Sequence, residues 1–350
     1  MAVRSSDPES SYRLIRRIMA LGVCLFAAML AGLWLLAPPE QMPARFSAQD
    51  CRQVDLVDRQ TGVPIAGAEA IALGPDGRLY LAAHDRLSET ANGALYSVSL
   101  FALSGAGTVR AVRLDQPIPG QTFRPHGLAI SANGRRLATI NRYAPGEAQV
   151  ELGEISPDGW LADRRLQGGS LCRANGLAFT GLAPDDLLIS LDRRDCTASL
   201  GDLAPWAQTG RLARFDGDSY QIVREGLIFP NGLVGLYIAE TRADRILSPD
   251  GVVIPLPGGP DNLSLSDEGR LVAAVHPRVH LLGLYLQGWQ SSAPSRIVQA
   301  DPATGRVEVL FDDPAGQLFS GATGAVLVDG LLIAGSVRDR GLLVCRKGRV

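Results

Sequence analysis

The side chains in this sequence that could do chemistry recur at one place in a repeated pattern. Glu69 stands eight residues before Gly77 of the turn PDG, His126 eight before Gly134 of ANG, and Asp261 eight before Gly269 of DEG. In each unit a polar side chain is followed by a short apolar run, a tight turn and a second apolar run, which is how a strand hairpin reads in sequence. Asn175 in RANGLAF and Asn231 in FPNGLVG open two further apolar runs, and Asn262 follows Asp261 directly. If strands that begin with these residues converge on one axis, Glu69, Asn175, Asn231, Asp261 and Asn262 bring carboxylate and amide oxygens to one point. Such a donor set suits one Ca2+ ion, which takes about six to eight oxygen ligands. An open coordination position on that ion could polarise a carbonyl. Zinc suits the sequence less, because its four histidines are not spaced for a tetrahedral site.

His126, in RPHGLAIS, fills a slot where other units carry oxygen donors. Beside a cation the protonated imidazole is disfavoured, so the neutral ring could act as a base on water. A core histidine bonded to backbone is the other reading.

The elements that must position these residues are six in number: AIALGPDGRLYLAA, LAISANGRRLATIN, LAFTGLAPDDLLISL, LVGLYIAE, LSLSDEGRLVAAV and AVLVDGLLIAGSV. Strand pairs repeating at intervals of roughly 30 to 60 residues predict an all-β chain folded as a six-bladed β-propeller. A β-sandwich with a second domain gives no reason for polar residues to recur at one strand position. In this frame Asn133-Gly134 is a turn, whereas Asn175 and Asn231 precede their apolar runs and point to the axis. The sixth slot falls near Ala322, which offers no side-chain donor. Between Asn231 and Tyr237 stands only GLVGL, so the fourth unit is expected to have a clipped hairpin.

Charged residues make up 20% of the 350 and the formal net charge is −2, which leaves no basic excess for nucleic acid. Ile18 to Ala37 carry no charge and, at about 1.5 Å per residue, are long enough to cross a bilayer. Arg13, Arg16 and Arg17 precede them, which favours a cytoplasmic N-terminus. The expected organisation is a cytoplasmic tail at 1–17, a single-pass transmembrane signal-anchor at 18–37, a linker at 38–48, and a propeller at 49–350 on the periplasmic or extracellular side. A cleaved signal peptide is the alternative, though the apolar run is longer than such peptides carry. Apart from Cys24 in the apolar segment, Cys51, Cys172, Cys196 and Cys345 lie in the exported part. Cys51 could pair with Cys345 and Cys172 with Cys196 in an oxidising compartment, or all four could be buried thiols.

The chain resembles the calcium-dependent paraoxonase/arylesterase family, within the wider group of six-bladed propellers that includes gluconolactonases and strictosidine-synthase-like proteins. The resemblance runs from about Cys51 to Cys345 and rests on GAEAIAL, RPHGLAIS, RANGLAF, FPNGL, PDNLSLS with AAVHP, and the two outlying cysteines. It implies that Glu69, Asn175, Asn231, Asp261 and Asn262 hold the catalytic calcium, that His126 is the base in lactone or aryl-ester hydrolysis, and that Cys51 and Cys345 form a disulfide. It also implies a retained N-terminal apolar segment. Departures from the family are Arg142 in TINRYAP, where a second histidine often stands, and Ala70 and Gly176, where carboxylates hold a second calcium. One calcium is therefore expected. Asn262-Leu263-Ser264 matches a glycosylation acceptor by coincidence, since a buried ligand cannot carry a glycan. His280 to Pro294, with Trp289, is a candidate lid, and Trp206 and Tyr143 are candidates for the rim.

The expected function is that of a membrane-anchored, calcium-dependent carboxylic ester hydrolase, of arylesterase or lactonase type, acting on a small ester or lactone. The reading from another class is a non-catalytic, calcium-stabilised propeller that binds a ligand or protein at its mouth.

Overall fold

The computed structural model describes residues 35–347 except 89–91, 106, 116–119 and 198, and before residue 35 only 19, 21, 24, 25, 29 and 32. The chain divides into two compact units, Met1–Pro39 and Glu40–Val350. In the first, the described positions from 19 to 36 are helical. The expected anchor, Ile18 to Ala37, lies for the most part outside the described residues. Among the described residues no helix is long and apolar enough to cross a membrane.

The second unit is built from six sheets, one per blade. Blade 1 contains Ala68–Leu73, Arg78–Ala83, Ala94–Ser99 and Val109–Arg113, with Leu56–Asp58 added parallel to its outer strand. Blade 2 contains Pro125–Ile130, Arg136–Ala144, Glu147–Ser156 and Gly159–Leu166, and blade 3 Ala174–Phe179, Leu187–Leu191, Gly210–Phe215 and Tyr220–Leu227. Blade 4 contains Pro230–Val234, Tyr237–Glu240, Arg245–Leu247 and Val253–Pro255, and blade 5 Gly259–Leu265, Leu271–His276, Ser295–Ala300 and Val307–Asp313. Blade 6 joins Ala322–Val328, Leu331–Ser336 and Leu342–Arg346 to Cys51–Val54 from the other end of the chain. The first strand of each blade touches that of the next, and the sixth touches the first, which closes a ring. This is the six-bladed propeller expected from the repeats.

Burial explains why the second strands read as unbroken apolar runs. Leu187–Leu191, Leu271–His276 and Leu331–Ser336 are buried along their whole length, whereas the outer strand Tyr220–Leu227 is exposed or half-buried except at Leu227. A strand covered on both faces has no polar side to alternate with. The short fourth repeat survives as a full blade: Pro230–Val234 and Tyr237–Glu240 are joined through Gly235 and Leu236, with Gly235 at φ 54°. That positive φ lets the chain reverse in two residues.

Cys51 and Cys345 face each other in the register of blade 6 and form a disulfide, and Cys172 and Cys196 form a second. Residues 40–48, within the expected linker, instead strap blade 5. Arg45 and Phe46 donate backbone N–H groups to the carbonyls of Val309 and Leu310 at 2.9 and 2.8 Å, and Phe46 is buried.

Candidate active site at the heads of the inner strands

Every first strand carries a break in register, and in five of the six it falls at the residue singled out by the sequence. The shifts fall between Ala68 and Ala70, Pro125 and Leu128, Ala174 and Leu177, Pro230 and Leu233, Pro260 and Leu263, and Ala322 and Gly324. A bulge of this kind re-aims a side chain out of the normal alternation. Glu69, His126, Asn175, Asn231 and Asp261 all stand at these breaks and are buried, with Asn262 half-buried beside them. The sixth break holds Thr323, not Ala322, so the expectation that this slot offers no donor is corrected: the bulge displaces the register by one residue. Thr323 Oγ1 donates to the Glu69 carbonyl at 2.8 Å.

The blades meet closely here because small residues follow the site residues. A Cβ on Gly127 would lie 2.8 Å from the Asn175 carbonyl oxygen, and one on Gly176 would lie 2.3 Å from that of Asn231. Side chains then suture the joints. Ser190 Oγ donates to the Asn231 carbonyl at 2.5 Å, Thr241 Oγ1 to that of Pro260 at 2.7 Å, and Asn262 Nδ2 to that of Glu69 at 3.3 Å.

Glu69, His126 and Asn175 are in direct contact. His126 Nδ1 lies 2.9 Å from Glu69 Oε2, and Nε2 lies 2.6 Å from Asn175 Oδ1. Arg86, which the sequence reading missed, donates from Nη2 to both Glu69 Oε2 and His126 Nδ1. A guanidinium only donates, so Nδ1 is the acceptor and the proton of the neutral ring sits on Nε2. Burial opposes ionisation of Glu69, but Arg86 and His126 outweigh it and hold the carboxyl well below the usual range. Burial first, then the positive charges of Arg142 and Arg86, push the His126 imidazole down against the pull of Glu69. Arg142 is itself pushed down to about 10, by burial and then by Arg86. It stands close enough to act on both Glu69 and His126, and its Nη2 donates to the Ala174 carbonyl at 3.2 Å.

His276 is a second residue without an assigned role in the sequence reading, although AAVHP was part of the resemblance. Its Nε2 lies 2.9 Å from Asp261 Oδ2 and fixes that carboxylate. The register pairs Gly259 with His276 and so brings His276 to Asp261, 15 residues away in sequence.

The donor chemistry fits a hard divalent cation. Asn231 Nδ2 donates to Thr241 Oγ1 at 3.2 Å and Asn262 Nδ2 to the Glu69 carbonyl, so these two amides spend their nitrogens on the protein and leave Oδ1 as an acceptor, whereas Asn175 Oδ1 accepts from His126 Nε2 and must exchange that bond for a cation. With Glu69 and Asp261 these give an oxygen set with two negative charges. Among the described residues no three His, Cys, Asp or Glu side chains come together as a metal group, so amides are needed to complete any site. A cation at Glu69 requires Arg86 to move aside. Past the ring, the channel is lined by Ile71, Leu128, Leu177, Leu233, Leu263 and Val326 around a cavity of about 270 Å³. The candidate lid, His280 to Pro294, begins in a helix, Val279–Leu286, that follows the second strand of blade 5, and Trp289 and Trp206 are exposed.

No protein-family model and no curated protein matches the chain. Solved structures do match in fold. A structural-genomics protein of unknown function from Bacteroides thetaiotaomicron superposes with TM-score 0.54 at 10% identity, over 84% of this chain and 74% of that one. A gluconolactonase from Xanthomonas campestris gives TM-score 0.49 at 18% identity, over 89% and 98%. The propeller domain of the Trilobed protease from Pyrococcus furiosus gives 0.43 at 9%, over 79% and 81%. At these identities the likeness is one of fold alone, and the six sheets make the chain an all-β, six-bladed propeller.

Proposed function

We propose that the ring is the active site of a hydrolase acting on carboxylic esters or lactones, and that it works with one Ca2+ held by Glu69, Asn175, Asn231, Asp261 and Asn262. The observation that carries this reading is the contact of His126 with Glu69 and Asn175 inside a ring of buried oxygen donors. The sequence resemblance to the paraoxonase/arylesterase family supports it. The bound ion would supply positive charge to a substrate carbonyl and its developing oxyanion. His126 takes the proton of the attacking water at Nε2, for which its own proton must sit on Nδ1. Glu69 Oε2, 2.9 Å away, accepts a hydrogen bond from that Nδ1–H once Arg86 has withdrawn. The oxygen of water bonds to the carbonyl carbon, the ester C–O bond breaks, and the proton held on His126 passes to the leaving alkoxide. His276 keeps Asp261 in place throughout. The apolar segment at 18–37 would anchor the protein with the propeller outside the cytoplasm.

The test is turnover of phenyl acetate and a simple γ-lactone by the full chain, with calcium and with chelator, in parallel with metal analysis. Chelation is expected to abolish turnover, and His126→Gln to lower kcat by about 100-fold or more. Turnover that survives full removal of metal would sink the calcium reading. A folded, metal-loaded protein inert toward every ester would favour the non-catalytic binding propeller.

A further inference from the structure

The exits of the second strands carry a feature that the hydrolase reading leaves unused. In blade 1 the strand ends at Ala83, paired with Ala68, and Arg86 follows. In blade 2, Asn141 pairs with Pro125 and is followed by Arg142. In blade 3, Leu191 pairs with Ala174 and Arg193 stands two residues on, and in blade 4, Glu240 pairs with Pro230 and Arg242 stands two residues on. Four consecutive blades therefore place an arginine one to three residues past the point where the second strand pairs with the head of the first, at the end of the barrel where Glu69, His126, Asn175 and Asn231 stand.

These arginines lie within range of one another. Arg142 acts on Arg86 and Arg173, and Arg242 acts on Arg193 and Arg173. Glu69, Asp192 and Asp202 are carboxylates that act on Arg142 or Arg242. Glu69 is engaged by Arg86, and Asp192 by Arg173 at 2.5 Å. Arg242 donates to the Asp202 carbonyl at 2.9 Å and stacks on Phe229, its carbon 4.5 Å from the ring centre. Arg142 Nε and Arg193 Nε are buried and have no hydrogen-bond partner. A buried N–H left unpaired is costly, and an arginine Nε with its Nη is the fork that takes a carboxylate or phosphate through two parallel bonds.

We infer that the ester or lactone taken by this site carries an oxyanion, a carboxylate or a phosphate, received by the arginine arc over blades 1 to 4. This rests on the hydrolase reading above and narrows its substrate class. Arg142 and Arg193 are the receiving residues. Arg173 is held on Asp192, and Arg86, which leaves Glu69 when the cation binds, is not assigned to the anion.

The test compares 4-acetoxybenzoate with phenyl acetate, each rate divided by its uncatalysed alkaline rate, using the full chain with calcium. The anionic ester is expected to have the higher kcat/KM, by about tenfold at low salt, with the advantage shrinking as salt is added. Arg193→Gln reduces the anion-to-neutral ratio several-fold, and Arg193→Lys, which keeps the charge, retains most of it. A ratio at or below one in the wild type, or one unmoved by Arg193→Gln, overturns the inference. Calorimetry separates this failure from that of the hydrolase reading, because it needs no turnover. Benzoate or phenyl phosphate binding more tightly than benzamide, and more weakly to Arg193→Gln, supports the arc, and the tighter of the two anions names the group. Equal binding of both anions and benzamide overturns it.

Discussion

Glu69 has more duties than any other residue at the site. Its carboxylate takes Arg86 and faces His126, while its carbonyl takes Thr323 and Asn262, so the first blade is tied to the second, fifth and sixth through one residue. Charge pairing elsewhere is simpler and can be tested by pH. Arg214 grips the buried Asp186 with Nε and Nη2 at 2.9 and 2.5 Å. That hydrogen bonding, ahead of the opposing effect of burial, holds the Asp186 carboxyl below its usual range. A carboxyl depressed on folding stabilises the protein above its unfolded value of about 3.9, and the gain is lost as the pH falls through the folded value. Because Arg214 is more than a third exposed, Asp186→Asn is expected to cost only about 1 kcal/mol at pH 7. The difference in Tm from wild type should shrink as the pH is taken below about 4. A difference that is constant from pH 7 to 3 would show that the ion pair is not its source.

The strand is the scale at which the site is made, because each register break turns one side chain to the axis and lets the next blade approach. A Cβ on Gly232 would lie 2.5 Å from both Asn262 Cα and the Asp261 carbonyl oxygen, backbone atoms that cannot swing away. Gly232→Ala is therefore expected to cost about 1–3 kcal/mol in a urea melt and to weaken calcium binding, since it separates the strands bearing Asn231 and Asp261. Full stability with unchanged metal affinity would contradict this account. The oxygen ring was legible in the sequence because Glu69, His126 and Asp261 keep one distance to a turn glycine. Thr323 was not, since a bulge moves the slot by one residue and leaves no mark in composition. The arginines were hidden for a related reason: they stand one to three residues past the residue of the second strand that pairs with the head of the first, so they have no period until the register is known. His276 needed the same register to find Asp261.

At the scale of the whole molecule, the ring is held shut at blade 6, where Cys51–Val54 completes a sheet begun by the C-terminal strands. The disulfide at that seam closes 294 residues, against 24 for Cys172 with Cys196. On the chain-entropy account Cys345→Ser costs about 5 kcal/mol and Cys172→Ser about 3, and denaturant midpoints of the two variants should rank in that order. The opposite order would place the main constraint in blade 3. The seam also sets a timetable for assembly. Cys51 leaves the ribosome 294 residues before Cys345, its partner across the seam, and such distant pairing is entropically slow. Until that late meeting the nascent protein presents an open sheet margin at each end, exposed to association with other chains, and oxidation of Cys345 marks the moment at which both margins disappear.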